Sequence, residues 1–85
     1  MRRGVIDIGT NSVKLLVAEC QAGDVQPVTE SSRQTRLGLG LYETGQLQPQ
    51  PIQATAAAVH EFLRFAKAEG ASETVIIATL SLIHI

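Results

Sequence analysis

The residues with the most chemistry to offer stand together near the start of the chain. In VIDIGTNSVKLL, residues 5–16, an apolar run carries one carboxylate, Asp7, breaks at Gly9-Thr10-Asn11-Ser12, and resumes as a second apolar run. A phosphate needs several donors converging on a backbone that it can approach closely. Gly9 has no Cβ, which permits both close approach and an unusual dihedral. Thr10, Asn11 and Ser12 add hydroxyl and amide donors to the backbone N–H groups of the turn. Asp7 alternates away from Ile6 and Ile8 at the exit of its strand, a place from which it can hold a divalent cation directly or through water. Mg²⁺ typically takes one or two carboxylates, phosphate oxygens and several waters. The competing reading is a plain hairpin turn, since Gly, Thr, Asn and Ser all favour turns. Asp7 would then cap a strand end, and Lys14 would be a solvated edge charge.

Two other phosphate loops are excluded. A Walker loop requires GxxxxGK[ST] between a strand and a helix, whereas Lys14 comes too early and a strand follows it. The GLG at residues 38–40 lacks the third glycine and the preceding strand of the dinucleotide fingerprint.

The elements that must position these residues follow from periodicity. GVIDI (4–8) reads as a strand rich in β-branched residues, and VKLLVAE (13–19) as a second. In the second, Val13, Leu15 and Val17 share one face and Lys14, Leu16 and Ala18 the other, so the sheet is expected to be covered on both sides. Gly23-Asp24 marks a turn, and a third, partly exposed strand runs from Val25 to about Gln34, completing an antiparallel meander. Residues 36–47, with three glycines and no clean period, read as a loop. A helix is expected from Pro51 to Glu69, with Ile52, Thr55, Ala56, Val59, Phe62, Leu63 and Ala66 as one apolar stripe. Proline suits its first turn and Gly70 its stop. His60, Glu61, Arg64 and Lys67 fall off the stripe. TVIIAT (74–79) reads as a buried strand after the helix. The expected class is α/β, in the order β-β-β-α-β.

Composition bounds the function. The chain has 85 residues, 45% of them apolar and 4% aromatic, with no Trp, so the core rests on Val, Ile, Leu and Ala. A chain this short buries only about 60–65% of its unfolded surface. A net charge of -1, with mixed signs, leaves no electrostatic footprint for a nucleic-acid polymer or an anionic membrane. One cysteine, Cys20, excludes an internal disulfide or a cysteine metal cage and fits a small buried hydrophobe in a reducing compartment. Asp7 and Gly9 interrupt what would be a signal peptide's apolar segment after Arg2 and Arg3, and no apolar run has the length to span a bilayer. A cytoplasmic protein is expected. VIIATLSLIHI, residues 75–85, carries no formal charge and no turn signal. It reads as cut off rather than finished, and its last six residues, 80–85, look like translated library adapter and not native sequence.

IDIGTNSVKLLVAE, residues 6–19, resembles the opening of the exopolyphosphatase/guanosine pentaphosphate phosphatase family, within the superfamily of actin, sugar kinases and heat-shock chaperones. TRLGLGLYETGQLQPQPIQAT, residues 35–55, is similar to that family's TRLGEGLxxTGxLxxxAIxxT, and VIIAT (75–79) falls where its fourth strand is expected. The resemblance covers residues 4–79. It implies that residues 1–85 are the N-terminal part of one ribonuclease-H-like (actin-like ATPase) domain. It further implies Mg²⁺-dependent release of a terminal phosphate from polyphosphate or guanosine pentaphosphate, and a homodimer as one state of the parent. By position, Asp7 would assist the metal, Gly9, Thr10, Asn11 and Ser12 would cradle phosphate, and Arg36 would face the substrate channel.

Departures from the pattern are specific. Leu39 stands where the family often has an acid, and LSLIHI replaces a Ser-Ala-x-Arg type segment after Thr79. The family's catalytic glutamate and its second, glycine-rich phosphate loop lie further along, so the 85-residue chain alone is expected to be inactive. The rival readings are a sugar or small-acid kinase of the same superfamily, an actin-like or chaperone-like nucleotide-binding protein, and a domain whose turn is purely structural. The match over residues 35–55 favours the phosphatase over the kinase.

Overall fold

The computed structural model describes residues 1–79; the adapter-like end, 80–85, lies outside the described residues. Six elements follow one another: β1 (Arg2–Ile8), β2 (Ser12–Gln21), β3 (Asp24–Gln34), α1 (Leu41–Thr44), α2 (Pro49–Ala68) and β4 (Ala71–Ala78). The strands form one sheet in the order β3-β2-β1-β4. β1, β2 and β3 are the expected antiparallel meander, and β4 returns beside β1 and parallel to it. A return to a parallel neighbour requires a long crossover, which α2 supplies.

Alternation decides which side chains face α2. Cross-strand partners share a face, so the pairing of Ile6 with Leu15 and of Ile8 with Val13 puts the large aliphatic residues together. Ile6, Val13, Leu15 and Val17 are fully or almost fully buried, and Ala58, Phe62 and Ala66 of α2 close the core over them. Gly4 lies where β1 passes under the helix. A Cβ there would sit 2.8 Å from Thr74 Oγ1 and 3.4 Å from the Ala66 methyl, so the absence of a side chain sets how closely the helix approaches the sheet.

Five sequence expectations are corrected. The helix starts at Pro49, not Pro51, because both prolines fit a first turn whose N–H groups have no intrahelical partner. Its buried stripe is Pro51, Thr55, Ala58, Phe62 and Ala66. Ile52 and Leu63, expected inside, are exposed. They share with Ala56 a flank that faces Ile76 and Ala78 of β4, while Val59 is half-buried against the core. The loop expected over 36–47 contains the single turn α1, where the Thr44 N–H and Oγ1 both donate to the Gly40 carbonyl. The sheet is covered on one face only among the described residues. Val5, Val75 and Ile77 on the opposite face remain substantially exposed. Cys20 is half-buried rather than buried.

β3 is exposed along nearly its whole length, as an edge strand with charged residues should be. The ladder shifts register between Val17 and Ala18, opposite Thr29 and Pro27. An irregularity at an edge accommodates a proline that cannot donate a ladder bond. Gly70, at φ 86°, ends α2 with its N–H on the Lys67 carbonyl.

Candidate functional site

Because β1 and β4 are parallel, their carboxyl ends lie side by side, and the Thr79 N–H extends the ladder onto the Ile8 carbonyl at 2.9 Å. In open α/β sheets this is where ligands bind. Asp7 sits at this end, half-buried, between Lys14 on β2 and Ile77 on β4. Its Oδ1 accepts a hydrogen bond from Thr79 Oγ1 at 2.7 Å. Lys14 is its cross-strand neighbour, yet the two form no ion pair among the described residues; Lys14 is exposed.

The turn that follows Asp7 is pinned by its carbonyls. Gly9 N–H donates to the Ser12 carbonyl at 2.9 Å. The Thr10 carbonyl accepts from Gly38 N–H at 2.9 Å, and the Asn11 carbonyl accepts from both Thr35 and Arg36 N–H at 3.0 Å. All peptides here are trans, so each N–H points opposite to the carbonyl of its own peptide unit. The Asn11 and Ser12 N–H groups therefore point away from segment 35–38. The N–H groups of Thr10 and Asn11 find no acceptor among the described residues, nor do the side-chain donors of Thr10, Asn11 and Ser12. The Gly9 N–H is thus consumed internally, while the Thr10 and Asn11 N–H groups and the side-chain donors of Thr10, Asn11 and Ser12 are left without a partner among the described residues, with Asn11 exposed and Thr10 and Ser12 half-buried.

Gly9 acts here through close approach rather than dihedral freedom, which corrects one half of the expectation. It is not among the glycines with positive φ. A Cβ on it would lie 3.2 Å from the Ser12 carbonyl oxygen and 4.0 Å from Thr79 Oγ1.

Arg36 joins the site through its backbone. Its N–H holds Asn11, and it adopts φ 52°, the one positive-φ residue other than glycine among the described residues. Such a conformation costs on the order of 1–3 kcal/mol and persists where the surroundings fix it. Its guanidinium is exposed and makes no ion pair among the described residues. Its neighbour Thr35 is buried with Oγ1 unpartnered.

The structure therefore brings together Asp7, Gly9, Thr10, Asn11, Ser12 and the backbone of Arg36, and adds Thr79. Periodicity missed Thr79 as a site residue. The available signal was a hydroxyl at the end of an apolar strand after a helix, hence at the carboxyl end of a strand parallel to β1.

No group of three or more His, Cys, Asp or Glu side chains is arranged to hold a metal among the described residues. The donor set is one carboxylate with a hydroxyl beside it. That fits Mg²⁺, which keeps water and phosphate oxygens in its shell, and does not fit an all-protein zinc cage.

No family model matches the chain. Exopolyphosphatase 2 of Mycobacterium tuberculosis is 33% identical over 82 residues, covering 92% of this chain and 26% of that protein. Exopolyphosphatase 1 of Mycobacterium bovis is 29% identical over 80 residues, covering 93% and 23% respectively. A crystal structure of the Aquifex aeolicus Ppx/GppA phosphatase matches with a TM-score of 0.86 at 32% identity, over 92% of this chain and 26% of that one. An exopolyphosphatase structure from Cytophaga hutchinsonii shares the fold, with a TM-score of 0.83 at 19% identity. The chain spans about a quarter of the length of the curated relatives it matches. The strand-strand-strand-helix-strand order is that of the N-terminal part of an actin-like ATPase. By sequence and by fold, this chain matches a segment, about a quarter of the length, of exopolyphosphatases and Ppx/GppA phosphatases.

Proposed function

We propose that residues 7–12 form the first phosphate-binding loop of a Mg²⁺-dependent phosphohydrolase that releases terminal phosphate from polyphosphate or guanosine pentaphosphate in the cytoplasm. The observation that supports this reading is the turn's polarity: the Thr10 and Asn11 carbonyls are tied to segment 35–38, the Asn11 and Ser12 N–H groups point away from it, and the side-chain donors of Thr10, Asn11 and Ser12 have no partner among the described residues. A chain of phosphates presents an oxyanion to such donors at each unit.

In this reading Thr10, Asn11 and Ser12 bind and orient the terminal phosphate, and Gly9 lets it approach the backbone. Asp7 holds Mg²⁺ directly or through water, and the exposed Arg36 guanidinium takes the next phosphate along. The cation, when bound, neutralises charge on the phosphate oxygens. Hydrolysis also needs a positioned base and charge stabilisation from several directions. One turn supplies only part of that, so the 85-residue chain binds but does not turn over.

Calorimetric titration of the purified chain with tripolyphosphate and with ATP, each with and without Mg²⁺, tests the reading. Tripolyphosphate binding that Mg²⁺ strengthens, and that Asp7→Asn uncouples from Mg²⁺, is the expected result. Binding of ATP alone would favour the nucleotide-binding rival, and binding of neither would return the turn to a structural role.

A further inference from the structure

We propose that Thr79 is a positioning residue that sets the direction of the Asp7 carboxylate; the inference rests on the phosphate-site reading above. Asp7 is half-buried on an otherwise open sheet face, and its cross-strand neighbour is Lys14. Directly opposed residues have Cβ atoms roughly 5 Å apart, so an unrestrained Asp7 can swing to Lys14 and spend its charge there. It does not: the short bond from Thr79 Oγ1, 2.7 Å, holds Oδ1 on the β4 side. A hydroxyl–carboxylate bond of this length is of the strong, charge-assisted kind. Because Oδ1 is engaged, Oδ2 is left for a cation. Partners that orient a ligating carboxylate in this way strongly affect metal affinity.

The position of the hydroxyl is itself fixed. Thr79 is locked by its N–H on the Ile8 carbonyl, one residue beyond Asp7, and its Oγ1 stands over the side-chain-free Cα of Gly9. The carboxyl ends of two parallel strands thus contribute one group each, a carboxylate and the hydroxyl that aims it.

The test is made on the 85-residue chain with two readouts. Electron paramagnetic resonance measures the affinity for Mn²⁺ in the presence of tripolyphosphate, and Hα–Hβ couplings report the Asp7 side-chain rotamer without metal. Thr79→Val, which keeps the backbone bond to Ile8, should average the Asp7 rotamer and weaken Mn²⁺ by about tenfold. Thr79→Ser should restore both, which a merely structural role of the threonine methyl would not. If Thr79→Val leaves rotamer and affinity unchanged while Asp7→Asn abolishes Mn²⁺ binding, the inference fails and the phosphate-site reading stands. If Asp7→Asn also leaves Mn²⁺ binding unchanged, or the wild-type chain binds none, both fail together.

Discussion

At the scale of single residues, some groups of the turn hold its shape and others are left without a partner among the described residues. Thr10 and Asn11 do both: their carbonyls receive three N–H donors from segment 35–38, while their own donors stay free. Replacing Asn11 and Ser12 together by Ala removes two side-chain donors that make no hydrogen bond among the described residues. Thermal unfolding should be almost unchanged, while tripolyphosphate affinity falls by about 1–3 kcal/mol, the scale of hydrogen bonds to charged groups. Calorimetry and a melting curve on the same sample check both halves. Gly9→Ala behaves differently, because its Cβ would meet the Ser12 carbonyl at 3.2 Å and push against the bond from Gly9 N–H. A cost of about 1 kcal/mol in stability, together with weakened phosphate binding, is expected. Asp7 and the four turn residues stand out in sequence because their types are unusual between two apolar strands, and the structure gathers them at one end of the sheet. Thr79 was not, because its role arises only when β4 lies parallel to β1, and a single strand does not carry its pairing partner in its own pattern.

At the scale of elements, the meander, the helix and the last strand were all legible as elements, since alternation and helical spacing are strong signals, but the last strand, expected to be buried, is largely exposed among the described residues. Which of two adjacent apolar stripes on α2 would be buried was not. The sequence shows Ile52, Ala56, Val59 and Leu63 beside Thr55, Ala58, Phe62 and Ala66, and packing against β1 and β2 selects the second set, which is centred on Phe62 and the small residues. Phe62→Ala should therefore destabilise by about 3–5 kcal/mol, whereas Leu63→Ala costs much less; denaturant midpoints of the two variants make the comparison. Gly4→Ala should also destabilise, because Thr74 and Ala66 leave no room for a methyl. The far end of β1 carries a pH dependence. The N-terminal ammonium, and after it Arg2, hold the Glu19 carboxyl below its ordinary value. A carboxyl whose pKa is depressed by folding stabilises above the unfolded pKa and loses that contribution as pH falls through the folded one. Melting temperatures of the wild type and Glu19→Gln should thus differ near neutrality and converge as pH drops below about 4, under the ordinary glutamate pKa.

At the scale of the molecule, the sheet has one covered face and one open one among the described residues. β4 lies at its edge with Val75 and Ile77 exposed on the open side and Ile76 on the helix side, all in a strand whose single charge, Glu73, pairs with Arg3. A long apolar edge strand invites pairing with other chains, so the purified chain should associate as its concentration rises. Val75→Lys with Ile77→Lys should suppress this in sedimentation velocity without altering the turn. The sequence signalled two apolar faces correctly, but alternation alone does not say what covers them. The likeness to Ppx/GppA structures extends to the arrangement of the strands; the proposed phosphate chemistry rests on the direction in which the turn's donors point. That is measured most directly by titrating the ¹⁵N-labelled chain with tripolyphosphate and Mg²⁺ and following every amide. The account predicts saturable shifts centred on Thr10, Asn11 and Ser12, lost in the Asn11→Ala/Ser12→Ala variant. Shifts that fall instead on the scattered surface cations Arg33, Arg64 and Lys67, with the turn amides unmoved, would contradict it.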